Sequence, residues 1–183
     1  DAFPVVTNWA DPVSYSCQAN VLLGIGDTNT HVDKNLPGPT NAFREPVKPA
    51  LVTADTTVDV VALMERIRVI EPGLPAANTQ NFSGRDNSAY IASLAYHANT
   101  QDLRTDLPGM QTLSTYWVDV LEAPFVANNQ FYLAAKYGGF KVPADFDPWG
   151  RSTDLPENWW TTTGELVGSQ KRPDNYFVAS KPE

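Results

Sequence analysis

The hydrophobic residues of the chain fall into runs whose spacing predicts strands alternating with helices. The first run, Asn20–Gly26, is apolar without alternation, which is typical of a parallel strand covered on both faces, and we expect it at the centre of the sheet. The segment Gln111–Glu122 is rich in β-branched and aromatic residues and predicts the next strand, and Asn175–Ser180 is a last short strand. Residues 1–19 predict an irregular lead-in to the first strand.

Two helices are predicted between the first and second strands. One begins at Thr56–Asp59, where the spacing matches a capping box, and ends at Pro72-Gly73. Its apolar stripe consists of Val60, Val61, Met64 and Ile67. The other runs from about Ser88 to Ala98 or slightly beyond. One of its faces carries Tyr90, Ile91, Leu94 and Ala95.

A third helix is predicted over Gln130–Tyr137, between the second and third strands. We expect Gly138 or Gly139 to end it with a positive φ, because glycine is the usual left-handed helix cap. The proline-containing segments 36–54 and 140–174 predict long irregular loops. This order of elements predicts an α/β fold with a mostly parallel sheet flanked by helices.

Composition narrows the class of protein further. The 183 residues suit one globular domain, with 42% apolar and 19% charged residues. The net charge of −8, with no basic run, argues against a nucleic-acid partner. No apolar stretch approaches the roughly 18 residues that span a bilayer. A start at Asp1 without Met or a signal peptide indicates a processed product or an interior piece of a longer chain.

A loop crowded with side-chain oxygens follows the first strand, and it allows two interpretations. Its polar residues are Asp27, Thr28, Asn29, Thr30, His31, Asp33 and Asn35. Ligands of open α/β sheets bind beyond the carboxyl ends of strands, where Asp27 could bind Mg²⁺ or Ca²⁺ with Asn29 and Asp33 within reach. The alternative is an Asx-type turn, in which side-chain oxygens cap free amide groups.

Aromatic residues in the segment 140–174 form the second candidate site. Trp149, Trp159 and Trp160 could stack on sugars or anchor a protein interface. The alternative is a satellite hydrophobic cluster that holds an irregular segment in place.

Signals of catalysis are weak. His97 falls on the apolar face of its helix, which favours a structural role, and Cys17 has no nucleophile signature. The carboxylate pairs Asp102/Asp106 and Asp145/Asp147 lack a substrate-orienting context. We therefore expect no enzymatic activity. "NFS" at Asn81 would be a glycosylation sequon only in a eukaryote.

Several phrases, taken in order, resemble a known family. They are "SCQANVLLGIGDTNTHVDKNLPG", "IASLAYHANTQDLRTDLPG", "QTLSTYWVDVLE", "QFYLAAKYGGF" and "RPDNYFVAS". Together they cover most of residues 14–183 and resemble the von Willebrand factor A-type domain of PilY-type type IV pilus tip adhesins. The resemblance implies a doubly wound, Rossmann-like domain outside the cell, at the pilus tip, with a role in adhesion and pilus assembly.

The chain departs from the A-type pattern in its first half. The family binds Mg²⁺ through Asp-x-Ser-x-Ser, a Thr from another loop and an Asp after the fourth strand, and the chain contains no Asp-x-Ser-x-Ser. Only Asp27 falls on a motif position, because Asn20–Gly26 would be the fourth strand. The resemblance therefore implies a partial A-type domain over residues 1–183, with Mg²⁺ or Ca²⁺ bound only in the intact domain.

Three expectations follow about partners and function. The rest of the adhesin or a pilus subunit should pack against Val21 and Leu23, and a partner of Cys17 should lie outside this sequence. The protein should act in adhesion or pilus assembly, binding a host or abiotic surface or a partner protein. The alternative is a carbohydrate-binding module of a secreted protein, which would use the tryptophan-rich segment.

Overall fold

The computed structural model describes residues 8, 10–27, 30, 32–41, 43–84, 86–121 and 124–179. Within these ranges the helices and strands are, in chain order, β1 (Asn20–Gly26), α1 (Ala50–Ala54), α2 (Val60–Ile70), α3 (Tyr90–Thr100), β2 (Leu113–Asp119), α4 (Gln130–Gly139), α5 (Glu157–Trp160), β3 (Leu166–Val167), β4 (Gln170–Lys171) and β5 (Tyr176–Val178). Predictions for residues 1–7 and 9, and for Thr28, Asn29, His31, Glu122 and Ser180, lie outside the described residues.

A parallel sheet in the order β1-β2-β5 forms the centre of the fold. In its register Asn20 pairs with Leu113, and Gly26 pairs with Asp119. On the other side of β2, Trp117 pairs with Tyr176. The predicted α/β class with a parallel sheet is confirmed. The position of β1 is not as expected, because β2 is the central strand and β1 lies at an edge.

Among the residues that the structure describes, helices cover only one face of this sheet. That face carries the buried β2 side chains Thr115, Trp117 and Asp119, and both α3 and α4 contact β2. The opposite face, which we call the open sheet face, carries Val21, Leu23, Ile25, Tyr116, Val118 and Phe177. These side chains are exposed or half-buried. The expectation that β1 is covered on both faces was therefore wrong.

A close contact between β1 and β2 explains why glycine occupies position 24. A Cβ atom on Gly24 would lie 2.1 Å from the Trp117 ring, so no larger residue fits there without displacing the indole. The same ring lies nearly parallel to Phe131 of α4, with their centroids 3.8 Å apart. Gly24 thus lets Trp117 join β1, β2 and α4 in one layer of the core.

Helix α2 begins three residues later than the sequence pattern suggested. Its N-cap is Asp59, whose Oδ1 accepts hydrogen bonds from the amides of Val61 and Ala62, at 3.0 Å each. The cap is thus one carboxylate and not a Thr56-based capping box. The apolar stripe is close to that predicted, and its buried members are Val60, Leu63, Met64, Ile67 and Ile70. A short helix, α1, also interrupts the predicted loop 36–54.

The other predicted elements agree in type and differ at their ends. Helix α3 starts at Tyr90, whose amide donates to the Ser88 hydroxyl, and it continues to Thr100. Strand β2 starts at Leu113 because Gln111 bonds to the preceding loop, through its amide to Asp102 and its carbonyl oxygen to Leu103.

The prediction that Gly138 or Gly139 ends α4 with a positive φ was wrong. The helix continues through Gly139, and neither glycine has a positive φ. A Cβ on Gly138 would lie 2.7 Å from Ala95 Cβ and 2.8 Å from Thr115 Cβ, and one on Gly139 would lie 2.2 Å from Asn175 Nδ2. The glycines therefore allow α4 to approach α3 and the sheet closely, and they do not reverse the chain.

The segment 140–174 is less irregular than predicted, since it contains α5 and the β3–β4 hairpin. It is fixed to the helices by polar contacts to the backbone. The carbonyl oxygen of Pro148 accepts from Arg66 Nε and from the Tyr96 hydroxyl, both at 2.7 Å. The Lys141 amide donates to the carbonyl oxygen of Trp159 at 2.7 Å. These bonds stabilise a long segment that has little regular structure.

Candidate functional site

The carboxyl ends of β1 and β2 meet at one edge of the sheet, where the sequence predicted a ligand site. Asp27 follows β1 directly and is exposed to solvent. Asp119 ends β2, pairs with Gly26 and is fully buried. Two acidic residues therefore occupy this edge in opposite environments, one in solvent and one in the core.

Asp119 is the centre of a buried hydrogen-bond network. Its Oδ2 accepts from Asn129 Nδ2 at 2.7 Å and from the Tyr176 hydroxyl at 2.5 Å. Its Oδ1 accepts from the Leu121 amide at 2.9 Å. A buried carboxyl group needs such partners to compensate for lost hydration. The network joins the end of β2 to β5 and to the start of α4.

Two residues at the start of α4 extend this network towards the loop after β1. Asn129 caps the helix, since its Oδ1 accepts from the Phe131 and Tyr132 amides at 2.8 and 3.1 Å. The next residue, Gln130, is buried and donates from Nε2 to the Thr30 hydroxyl at 3.2 Å. Asp119 thus fixes the helix end that holds Gln130 against the polar loop.

Burial raises the pKa of the Tyr176 phenol above its ordinary value, and the hydrogen bond to Asp119 and its negative charge raise it further. The phenol therefore keeps its proton at physiological pH and donates a hydrogen bond to Asp119. A proton held in this way serves the structure and is not available for acid–base chemistry near neutral pH.

Asp33, one of the predicted cation ligands, makes several hydrogen bonds within the protein. Both of its oxygens accept from the Ser88 amide, at 3.0 and 2.9 Å, and Oδ2 also accepts from the Thr30 hydroxyl. It therefore attaches the loop after β1 to the segment that precedes α3. Asn29, the other proposed helper of Asp27, lies outside the described residues.

The oxygen donors near this edge suit a hard cation in kind but are few in number. Asp27 supplies an exposed carboxylate, and Gln130 supplies a buried Oε1 that accepts no hydrogen bond within the described residues. Mg²⁺ and Ca²⁺ need six or more oxygen ligands. Within the described ranges no three His, Cys, Asp or Glu residues cluster as a metal site would require. In the part of the chain that the structure describes, the residues at this edge therefore supply only a few of the ligands that a cation site needs.

Sequence reasoning found Asp27 and missed the network beside it. Asp119 lies within the predicted strand Gln111–Glu122, and an acidic residue at the end of a buried β-branched run is unusual. Asn129 directly before a helical run is a recognisable N-cap signal. These two signals together would have indicated a polar network at this edge.

The three candidate tryptophans do not form one site. Trp159 and Trp160 line a cleft of about 540 Å³, together with Asn158, Asp174 and Asn175. Trp149 is 55% exposed and lies elsewhere, beside His97 and Asp59 around a smaller cavity. A single sugar-binding cleft could therefore combine Trp159 with Trp160 but not with Trp149.

Both tryptophans of the cleft make internal ring contacts. Trp159 lies nearly parallel to Phe140 and has the Arg151 guanidinium 4.9 Å from its ring centre. Trp160 has Lys136 Nζ 4.5 Å from its ring centre. They also pack against the hydrophobic core. These contacts favour the interpretation as a satellite cluster, since sugar stacking requires an accessible ring face.

Other candidate residues have mainly structural surroundings. Arg104 bonds to both oxygens of Asp106 at 2.7 Å, and this interaction lowers the pKa of Asp106 to about 2. Asp147 accepts from the Trp149 amide at 2.8 Å. Cys17 is an exposed free thiol. That it pairs with a partner outside this sequence stays a prediction.

His97 gives a testable pH effect. Partial burial lowers its pKa, so the folded state disfavours the protonated ring. Its contribution to stability should be complete above the unfolded pKa of about 6.5 and should decrease as pH falls towards the folded pKa. We expect a loss below about 1 kcal/mol because the ring is only half-buried. Urea unfolding of wild type and His97→Gln at pH 7.5 and 5 would measure it, and equal pH dependence in both proteins would contradict it.

The fold and this edge of the sheet define an open, parallel α/β domain with a polar loop at the carboxyl ends of its strands. Compared with known proteins, the chain is 48% identical over 200 aligned positions to the type IV pilus biogenesis factor PilY1 homolog of Xylella fastidiosa (strain Temecula1). The match covers 100% of this chain and 16% of that protein, so the chain spans about one-sixth of the relative's length. This similarity relates the chain to one part of a PilY1 homolog.

The other comparisons gave no match. No family model matches the chain, and no solved structure matches it significantly. Among the helices of the described residues, none has both the length and the apolar character that a bilayer crossing requires.

Proposed function

We propose that the chain is a module of a type IV pilus-associated protein that acts at the cell surface in pilus biogenesis and adhesion. The observation that carries this proposal is the 48% identity to a PilY1 homolog along the whole of this chain. The resemblance of its motifs to a partial A-type domain at a pilus tip supports an extracellular position. Its partners would be other pilus components and the surface to which the pilus adheres.

We also propose that this module is not an enzyme. Two carboxylates in or near the core are occupied by hydrogen bonds from other side chains. Glu71 Oε2, for example, accepts from Lys136 Nζ and from the Tyr137 hydroxyl, both at 2.7 Å. Asp119 is similarly occupied by Asn129 and Tyr176. These two carboxylates therefore serve the structure, whereas general acid–base catalysis requires a group that is free to exchange protons with a substrate.

A deletion strain tests the role in the pilus. Removing the gene should reduce surface pili, counted by electron microscopy, and reduce adhesion of cells to glass and to host tissue. Complementation with the wild-type gene should restore both properties. Normal piliation together with normal adhesion in the deletion strain would refute the proposal.

Asp27 is the residue by which we test cation-dependent adhesion. In the intact protein, Asp27→Ala should lower adhesion at millimolar Mg²⁺ or Ca²⁺ at least tenfold, because an oxygen ligand is lost from a site with few protein donors. Piliation and thermal stability should be unchanged, since an exposed carboxylate contributes little to folding.

Asp145→Ala is the matched control, because Asp145 is also an exposed loop carboxylate. It should leave adhesion at the wild-type level over the whole cation titration. Equal adhesion by the Asp27 and Asp145 variants at every Mg²⁺ and Ca²⁺ concentration would make Asp27 a turn residue.

The carbohydrate-binding alternative has one favourable observation, the cleft of about 540 Å³ beside Trp159 and Trp160. The internal contacts of both rings argue against it. A saturable change in tryptophan fluorescence with added oligosaccharide, abolished by Trp159→Ala, would favour this alternative over the pilus proposal.

A further inference from the structure

The open sheet face is an apolar surface of a kind that parallel sheets normally bury. Val21, Leu23 and Ile25 of β1 are 64%, 62% and 70% exposed, and Phe177 of β5 is 43% exposed. Parallel sheets occur almost only with both faces covered, because their crossover connections place helices on them. Contiguous exposed apolar residues on a folded domain generally mark an interaction surface.

The outer edge of β1 is a second unsatisfied feature, continuous with this face. Within the described residues β1 pairs with β2 alone, through all seven of its positions. Its other edge therefore presents backbone amide and carbonyl groups that another strand could bind. The edge has no charged side chain or proline to prevent such pairing, since its sequence is NVLLGIG.

One kind of partner satisfies both features at once. A second copy that paired through the β1 edges would extend the sheet but would leave both open sheet faces in water. A second copy that packed through the open sheet faces would leave both β1 edges unpaired. A strand with a following helix can pair with β1 and also cover the open sheet face.

The handedness of crossovers agrees with this choice. β1, β2 and β5 follow one another in one direction across the sheet, and both α3 and α4 lie on the same face. Right-handed connections that run in the opposite direction place their helices on the other face. Where the chain runs outward from a strand paired with β1 to a further strand, the connecting helix would therefore lie on the open sheet face.

We propose that the open sheet face and the β1 edge dock a strand–helix unit of the same polypeptide, supplied from outside these 183 residues. The strand would pair in parallel with β1, and the apolar side of the helix would cover Val21, Leu23 and Ile25. The similarity covers only 16% of the PilY1 homolog. The rest of that protein is therefore long enough to supply such a unit to the corresponding segment. This inference does not depend on what the protein binds.

Thiol labelling tests the proposal with two matched substitutions. Val21→Cys lies on the open sheet face, and Val47→Cys is the control, because Val47 is a 94% exposed loop valine. Both are made in a Cys17→Ser background, which removes the one cysteine of these 183 residues, and labelling is read on the peptide that carries position 21 or 47. Maleimide labelling rates are compared in the 183-residue chain and in the protein isolated from the cells that produce it.

In the 183-residue chain the two cysteines should react at similar rates. In the cell-derived protein Val21→Cys should react at least tenfold more slowly than Val47→Cys, at every protein concentration and in monomeric fractions. Hydrogen exchange of the unsubstituted protein should show added protection, in the cell-derived form only, of those β1 amides that do not donate to β2.

Three results would overturn the proposal. Equal labelling in the cell-derived protein would show that the open sheet face stays uncovered. Protection lost on dilution would assign the face to a second copy, and protection found only in assembled pili would assign it to a separate subunit.

Discussion

Replacing Gly138 with valine should lower the free energy of unfolding by roughly 3 kcal/mol. The new Cβ would lie 2.7 Å from Ala95 Cβ on α3 and 2.8 Å from Thr115 Cβ on β2, closer than packed carbon atoms approach. Neither neighbour can rotate away, because a Cβ position is fixed by the backbone. α4 would have to move outward, and its contacts with α3 and β2 would loosen together.

Gly84→Val is the matched control for this experiment. Gly84 has open space where its Cβ would be and no positive φ. Its substitution should change stability by less than about 0.5 kcal/mol. Urea unfolding monitored by circular dichroism would measure both variants. If Gly138→Val were as stable as the control, the close packing of α4 against the sheet would be wrong.

The glycine pair shows where sequence reasoning was limited. Two glycines after a helical run match the local signal for a left-handed cap, and that signal contains no information about α3 or β2. The real constraint on Gly138 is the close approach of Ala95 and Thr115, which are distant in sequence. A contact of this kind cannot be deduced from one chain without its tertiary structure.

The order of the elements was predictable for the opposite reason. Apolar periodicity is local, so the types and approximate bounds of β1, α2, α3, β2 and α4 follow from it. The strand order does not follow, because an apolar run such as that of β1 has the same appearance at the centre and at an edge. In β1 the odd-numbered positions 21, 23 and 25 face away from the helices, and Gly24 on the other side accommodates Trp117.

Only those residues of the candidate site that directly follow a strand in the sequence could be predicted. Asp27 follows a strand directly, so the rule about carboxyl ends of parallel strands applies to it. Asp119 also ends a strand, but its partners Asn129 and Tyr176 come from two other elements. Only the assembled sheet shows that one of these acidic residues is buried and the other exposed.

Asp119→Ala should also destabilise the protein by roughly 3 kcal/mol. The substitution would leave the Tyr176 hydroxyl, Asn129 Nδ2 and the Leu121 amide without their acceptor inside the core. Each unsatisfied buried donor costs about 1–3 kcal/mol, and the loss of a buried carboxyl group offsets part of the sum.

A double-mutant cycle can separate the loss of the Asp119–Tyr176 hydrogen bond from a simple loss of packing. Tyr176→Phe alone should cost about 1–2 kcal/mol, and the pair with Asp119→Ala should cost clearly less than the sum, because both remove the same hydrogen bond. Asp145→Ala, at an exposed position, should change stability by less than about 0.5 kcal/mol.

The loss of Asp119 should also be felt at the candidate site. In NMR spectra of Asp119→Ala, the signals of the Gln130 side-chain amide and of Thr30 should shift, because Asp119 holds the start of α4 through Asn129. Additive costs for the two substitutions, with unchanged Gln130 and Thr30 signals, would show that Asp119 does not organise this edge of the sheet.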